Sequence, residues 1–195
     1  ELKADEIMVA AGRTADLKRI NLEAAQIKYG KFIEVNEYMQ SSNQNIYAVG
    51  DVNGISLLAH SATRQGEIAA LNIMGHREKF DKNIVPNCIY SFPEVASVGI
   101  RLKEAKEKNI NVKTKKAFFQ VLGKAVATFN TEGFIQIITD ENEVILGAQI
   151  IGGPATEIIH ILSIAVKFKM KAGELNSIIY AHPTMSEIIM EALNR

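Results

Sequence analysis

Tyr180-Ala181-His182-Pro183-Thr184-Met185-Ser186-Glu187 is the stretch on which the reading of this chain turns. Thr184 and Glu187 have the Thr-x-x-Glu spacing of a capping box, which predicts a helix beginning here and running through Ile188, Ile189 and Leu193. Pro183 has a fixed φ, and a residue before proline is pushed out of the helical region, so His182 is expected just outside that helix. An imidazole and a carboxylate are thereby brought to the mouth of one helix. Taken alone, such a pair is more often a surface histidine and an ordinary cap than a catalytic dyad.

Working back from this stretch, the pattern alternates between the two periods of regular structure. Ala172 to Ile179 predicts a short helix leading into His182. Pro154 opens a longer one, whose apolar positions Ile158, Ile159, Leu162, Ala165, Val166 and Phe168 make a broad stripe for burial. Before it, strands are expected at Asn87 to Tyr90, Pro93 to Gly99, Lys113 to Phe119, Gly133 to Thr139 and Val144 to Ile151. Asp140-Glu141-Asn142 forms a hairpin-type connection between the last two, and Leu102 to Lys108 reads as a short charged helix. Strands joined by short turns and followed by helices predict an antiparallel sheet covered by helices. Its domain is expected to span residues 84–195, with the boundary near Asn83 to Pro86.

Residues 1–83 read differently. Ile7 to Ala11 is a continuous apolar run ending in Gly12-Arg13, which suits a strand buried on both faces. Phe32 to Val35 and Ile46 to Val49 are further strand candidates, the second stopped by Gly50-Asp51. Leu57 to Met74 is helix-compatible, with Gly75 as its stop. This is the tail of an α/β domain, so the fold class expected overall is α+β. Parallel strands need neighbours on both sides, and this stretch holds few of them, so it is expected to be incomplete or rearranged. Because a buried-looking strand comes almost at once after Glu1, the chain is expected to be a piece of a longer protein.

Composition excludes several function classes. Among 195 residues, 47% are hydrophobic and 23% charged, as in a globular protein. The 22 basic and 22 acidic residues balance, which argues against nucleic acid or an anionic membrane surface as partner. The longest apolar runs are too short to span a bilayer. Cys88, the single cysteine, allows no internal disulfide framework and reads as a small core residue, so a cytoplasmic setting is expected.

Five stretches carry a family likeness. His182-Pro183-Thr184-x-Ser186-Glu187 is similar to the C-terminal signature of the pyridine nucleotide-disulfide oxidoreductases, the family of dihydrolipoamide dehydrogenase and glutathione reductase. Ile46-Tyr47-Ala48-Val49-Gly50-Asp51-Val52 resembles the family's second FAD-binding motif, which implies that Asp51 bonds a hydroxyl of the ribityl chain. Val9-Ala10-Ala11-Gly12-Arg13 resembles its Val-x-x-Gly-Arg segment, implying close backbone approach of Gly12 to a dinucleotide. Pro93 to Gly99 resembles the Pro-Glu-Val-Ala-x-Val-Gly stretch that opens its interface domain. Leu57-Leu58-Ala59-His60 is in turn similar to the dihydrolipoamide dehydrogenase segment that meets the flavin ring. That likeness implies backbone contacts from Leu57, Leu58, Ala59 and His60, where unpaired amides at a helix start favour charge on the reduced flavin.

What the resemblance implies is oxidation of dihydrolipoamide through a redox disulfide and FAD to NAD. The lipoyl domain of a multienzyme complex would be the substrate. A dithiol attacks a disulfide only as thiolate, so a base near neutral pH is needed. His182 is implied as that acid-base group, with Glu187 orienting it as the Asp of a serine-protease triad orients its histidine. The family likeness further implies a homodimer, in which the histidine of one subunit serves the flavin of the other, and a cis peptide at His182-Pro183. The sequence departs from the family in lacking both the Cys-x4-Cys pair and any G-x-G-x-x-G. The chain alone is therefore expected to show no turnover and weak or no FAD binding. A glutathione reductase-like enzyme and a non-catalytic dimerisation module are the alternatives.

Overall fold

A computed structural model of the chain describes residues 2–195. They form two compact units, one reaching to Lys82 and the other spanning Asn83–Arg195.

The second unit is built on an antiparallel sheet. Its strands are β1 (Asn87–Ile89), β2 (Val95–Gly99), β3 (Lys113–Phe118), β4 (Phe134–Thr139) and β5 (Ile145–Ile151), in the order β1-β2-β5-β4-β3. Period-two alternation sets which residues face inward. Register aligns Ala117 with Ile135, Ile135 with Ile150, and Ile150 with Ala96, so small and branched side chains run in one row across four strands. All four are buried in one core cluster. The next row on the opposite face is polar: Lys116, Gln136, Gln149 and Ser97.

Helices cover the apolar face. α4 (Ala155–Lys167) lies on β2 and β5, and α6 (Glu187–Leu193) on β3 and β4. Ile158, Ile159, Leu162 and Ala165 of α4 are buried, as the stripe predicts, but Phe168 caps the helix end and stays 67% exposed. The start of α4 is tied to the sheet by Glu94, whose carboxylate accepts from both the N–H and the hydroxyl of Thr156 at 3.0 and 2.8 Å. α2 (Leu102–Glu107), the short α3 (Gly123–Ala127) and α5 (Ala172–Asn176) complete the unit. α3 has no apolar period to announce it. α5 ends before the expected Ile179, because Ser177 donates its hydroxyl to the Glu174 carbonyl at 2.7 Å and satisfies a last-turn acceptor. The sheet-and-helix architecture expected of the chain is the one observed.

The first unit has a 15-residue helix, α1 (Ala59–Ile73), and turns. The strands expected at Phe32–Val35 and Ile46–Val49 reduce to isolated antiparallel bridges, Tyr29 with Ile33, Val35 with Ser41 and Gln40 with Tyr47. The strand expected at Ile7–Ala11 does not form. Ile7, Met8 and Val9 have no regular structure and are 87%, 89% and 84% exposed. A strand with two apolar faces is stable only between partners on both sides, and the described residues of this unit supply none.

Candidate functional site

The helix at the chain's end begins later than its sequence suggests. α6 starts at Glu187 with Ser186 as its flanking residue, after a turn at Met185-Ser186. Only half of the expected capping box exists. Glu187 Oε2 accepts from the Thr184 N–H at 2.8 Å, but the Thr184 hydroxyl turns away and donates to the Ala181 carbonyl at 2.7 Å. The other carboxylate oxygen, Oε1, lies 2.8 Å from Nδ1 of His182. The His182-Pro183 peptide is cis, as is Phe92-Pro93.

The two partners sit in contrasting surroundings. The Glu187 side chain is 12% exposed, whereas the imidazole is 74% exposed. Bonds from the Thr184 N–H and from His182 hold the Glu187 carboxyl below the usual carboxylate range. An ionised carboxylate only accepts, so Nδ1 must be the donor and the neutral ring carries its proton there. Nε2, with its lone pair, is left open to the solvent side. Tyr180, adjacent in sequence, donates its hydroxyl to the Leu175 carbonyl at 3.2 Å. Burial pushes its phenol up to about 12, so it is a strut and not a proton carrier at neutral pH.

The first unit brings Gly50, Asp51 and the start of α1 together. Gly50 has φ +76°, and a Cβ there would come within 3.3 Å of the Ala62 Cβ, so the turn runs hard against α1. A buried amide network that sequence reasoning missed locks it. Gln65 Oε1 accepts from the Gly50 N–H and from Asn53 Nδ2, both at 2.7 Å, and Asn53 Nδ2 also donates to the Ala48 carbonyl at 3.0 Å. Gln65 and Ser61, one turn apart on α1, are both buried; that i, i+4 polar pair on an inward face was the available signal.

Asp51 is ion-paired with Arg13, yet its side chain remains 43% exposed, with lone pairs to spare for a hydroxyl. Leu58 precedes α1 in an extended conformation and makes no side-chain cap bond. Leu57 and Leu58 are half-buried, and Ala59 and His60 exposed. Gly12 is exposed, with φ +116° and nothing within 4 Å of where a Cβ would stand.

A five-stranded antiparallel sheet covered by helices and a histidine–carboxylate pair define a class, and comparison with known proteins identifies it. Residues 85–193 match the family described as pyridine nucleotide-disulphide oxidoreductase, dimerisation domain, and residues 1–66 match pyridine nucleotide-disulphide oxidoreductase. The chain belongs to this family. It is 39% identical over 190 residues to a dihydrolipoyl dehydrogenase of Chlamydia pneumoniae, covering 96% of this chain and 41% of that protein. A dihydrolipoyl dehydrogenase of Geobacillus stearothermophilus is 38% identical over 194 residues, which is 98% of this chain and again 41% of the relative. The chain thus spans well under half the length of these relatives. Among solved structures, LpdA from Mycobacterium tuberculosis superimposes with a TM-score of 0.86 at 24% identity, covering 93% of this chain and 40% of that one. That last likeness speaks for the fold.

Proposed function

We propose that this chain supplies the proton-handling and subunit-joining part of a flavoprotein disulfide oxidoreductase that oxidises dihydrolipoamide with NAD. The observation that carries the reading is the 2.8 Å contact between His182 Nδ1 and Glu187 Oε1, with the ring otherwise exposed. Nε2 takes the proton of a substrate thiol, and the thiolate so formed attacks a disulfide sulfur. Glu187 keeps the ring in the tautomer that leaves Nε2 basic and stabilises the imidazolium. The names of the relatives support the dithiol substrate, presented on a lipoyl domain.

FAD, when bound, supplies the two-electron centre between dithiol and NAD. Of this chain, Asp51 would accept from a ribityl hydroxyl, the backbone of Leu57, Leu58, Ala59 and His60 would meet the flavin, and Gly12 would let backbone approach the dinucleotide. Residues 1–83 belong to the NAD- and FAD-binding part and 84–195 to the dimerisation domain. A homodimer is part of the proposal, and it is supported by Tyr90, Phe92 and Ile179, apolar side chains 81%, 98% and 99% exposed. A cytoplasmic setting accords with a lone free thiol.

One observation favours a second reading. The sequence has a single cysteine, so no redox pair resides in it, and by itself the chain acts as a dimerisation module without turnover. A hybrid tests both readings: these residues replace the matching segment of the Chlamydia pneumoniae relative. The hybrid is expected to oxidise dihydrolipoamide with NAD, and the 195-residue chain alone is expected to be silent. A folded, FAD-loaded hybrid without activity contradicts the enzymatic reading; robust turnover by the chain alone contradicts the modular one.

A further inference from the structure

The imidazole of His182 stands on a segment with no regular structure. Between Asn176, where α5 ends, and Glu187, where α6 begins, the backbone is held by few bonds. Thr184 makes two of them. Its main-chain N–H holds Glu187 Oε2, and its side-chain hydroxyl holds the carbonyl of Ala181, the residue immediately before the imidazole. One residue therefore grips both partners of the pair, the acid through its main chain and the histidine's backbone through its side chain.

From this geometry we infer that the Thr184 hydroxyl is a positioning group for the His182–Glu187 pair. It touches no reacting atom and acts by fixing the Ala181 carbonyl, and so the direction from which Nδ1 meets Oε1. The inference rests on the functional reading of that pair given above. Its physical content is a division of labour across the carboxylate. Oε2 is committed to a main-chain donor that no substitution of Thr184 other than proline removes, so Glu187 stays in place when the hydroxyl is lost. His182 does not, because its ring is 74% exposed and packing contributes little to holding it. Pro183 restricts one backbone torsion, and the Ala181 tether restricts the approach to it.

Thr184→Val keeps the shape and the N–H but deletes the hydroxyl; Thr184→Ser keeps the hydroxyl. The readout is the tautomer of neutral His182, since a free imidazole in water favours the proton on Nε2 whereas the bond to Glu187 requires it on Nδ1. Nitrogen shifts of the histidine rings are recorded on the ¹⁵N-labelled chain at about pH 8.5, above the ordinary histidine range, with His182→Gln assigning the signal. The native chain and Thr184→Ser are expected to hold the proton on Nδ1. In Thr184→Val the ratio of Nε2–H to Nδ1–H should rise roughly fivefold, the size of one ordinary hydrogen bond. Glu187→Ala should shift it at least as far.

The outcomes separate two failures. If Glu187→Ala moves the ratio and Thr184→Val does not, the positioning role is wrong and the pair stands. If neither moves it, the pair itself is not formed and both readings fall. Loss of the dispersed amide spectrum in Thr184→Val, or a Thr184→Ser that behaves like it, would show a merely structural threonine and overturn the inference.

Discussion

The two units of this chain solve the burial problem to very different degrees. In the second, α4 and α6 cover the apolar face of the sheet, and one contiguous cluster runs from Ala96 to Leu193. In the first, the buried apolar residues fall into two small groups, one around Leu22, Ile27, Ile33 and Ala48 and another around Met39, Ile68 and Ala69. Ile7, Met8 and Val9 join neither. An antiparallel sheet made from consecutive strands completes itself locally, whereas strands of a parallel sheet depend on partners distant in sequence. The first unit compensates with buried polar bonds: the Gln65 network holds by hydrogen bonding what the second unit holds by packing.

This contrast can be broken by substitution, read by hydrogen exchange so that each unit reports separately. Ile159→Ala should cost the second unit about 3–4 kcal/mol, since a fully buried side chain leaves a cavity between α4 and the sheet. Equal loss of protection in both units would show that they are not separate cores. Gln65→Ala should cost the first unit roughly 2–3 kcal/mol by orphaning the Gly50 N–H and Asn53, while β4 and β5 keep their protection. Glu94→Ala should cost about 1–2 kcal/mol, confined to the start of α4, where the Thr156 amide loses its acceptor.

A smaller effect concerns pH. The Glu187 carboxyl is held low in the folded state, so its stabilising contribution is present above the unfolded carboxylate range, about pH 4.3, and is lost as pH falls through the folded value. Glu187→Gln should flatten the acid limb of a stability profile measured by denaturant titration; an unchanged limb would detach Glu187 from the turn. Met8→Ser, at the other extreme, should change stability by no more than about 0.5 kcal/mol.

The legibility of the sequence follows the same divide. In the second unit, helix stripes and strand alternation pointed to the right elements because local pattern and final burial agree there. Phe168 and Ile179 departed from it, each lying where a helix runs out. In the first unit, Ile7 to Ala11 carried a strong strand pattern, and only the lack of partners keeps it coil. At the candidate site, the Thr184 to Glu187 spacing correctly placed a carboxylate at a helix start, but the cap moves from Thr184 to Ser186 and the threonine hydroxyl serves Ala181 instead. Nothing in periodicity tied Glu187 to His182; that link came from family likeness. The Gln65–Asn53 bonds were invisible because a buried amide leaves no periodic trace.

The measurement that bears most directly on the proposed proton-handling role is rapid reduction of the hybrid enzyme, followed from each end of the reaction. With His182→Gln, reduction by dihydrolipoamide should slow by about 10²–10⁴-fold, the usual share of a general base, while reduction by NADH keeps its native rate. Dithiol reduction at the native rate in that variant would contradict the account.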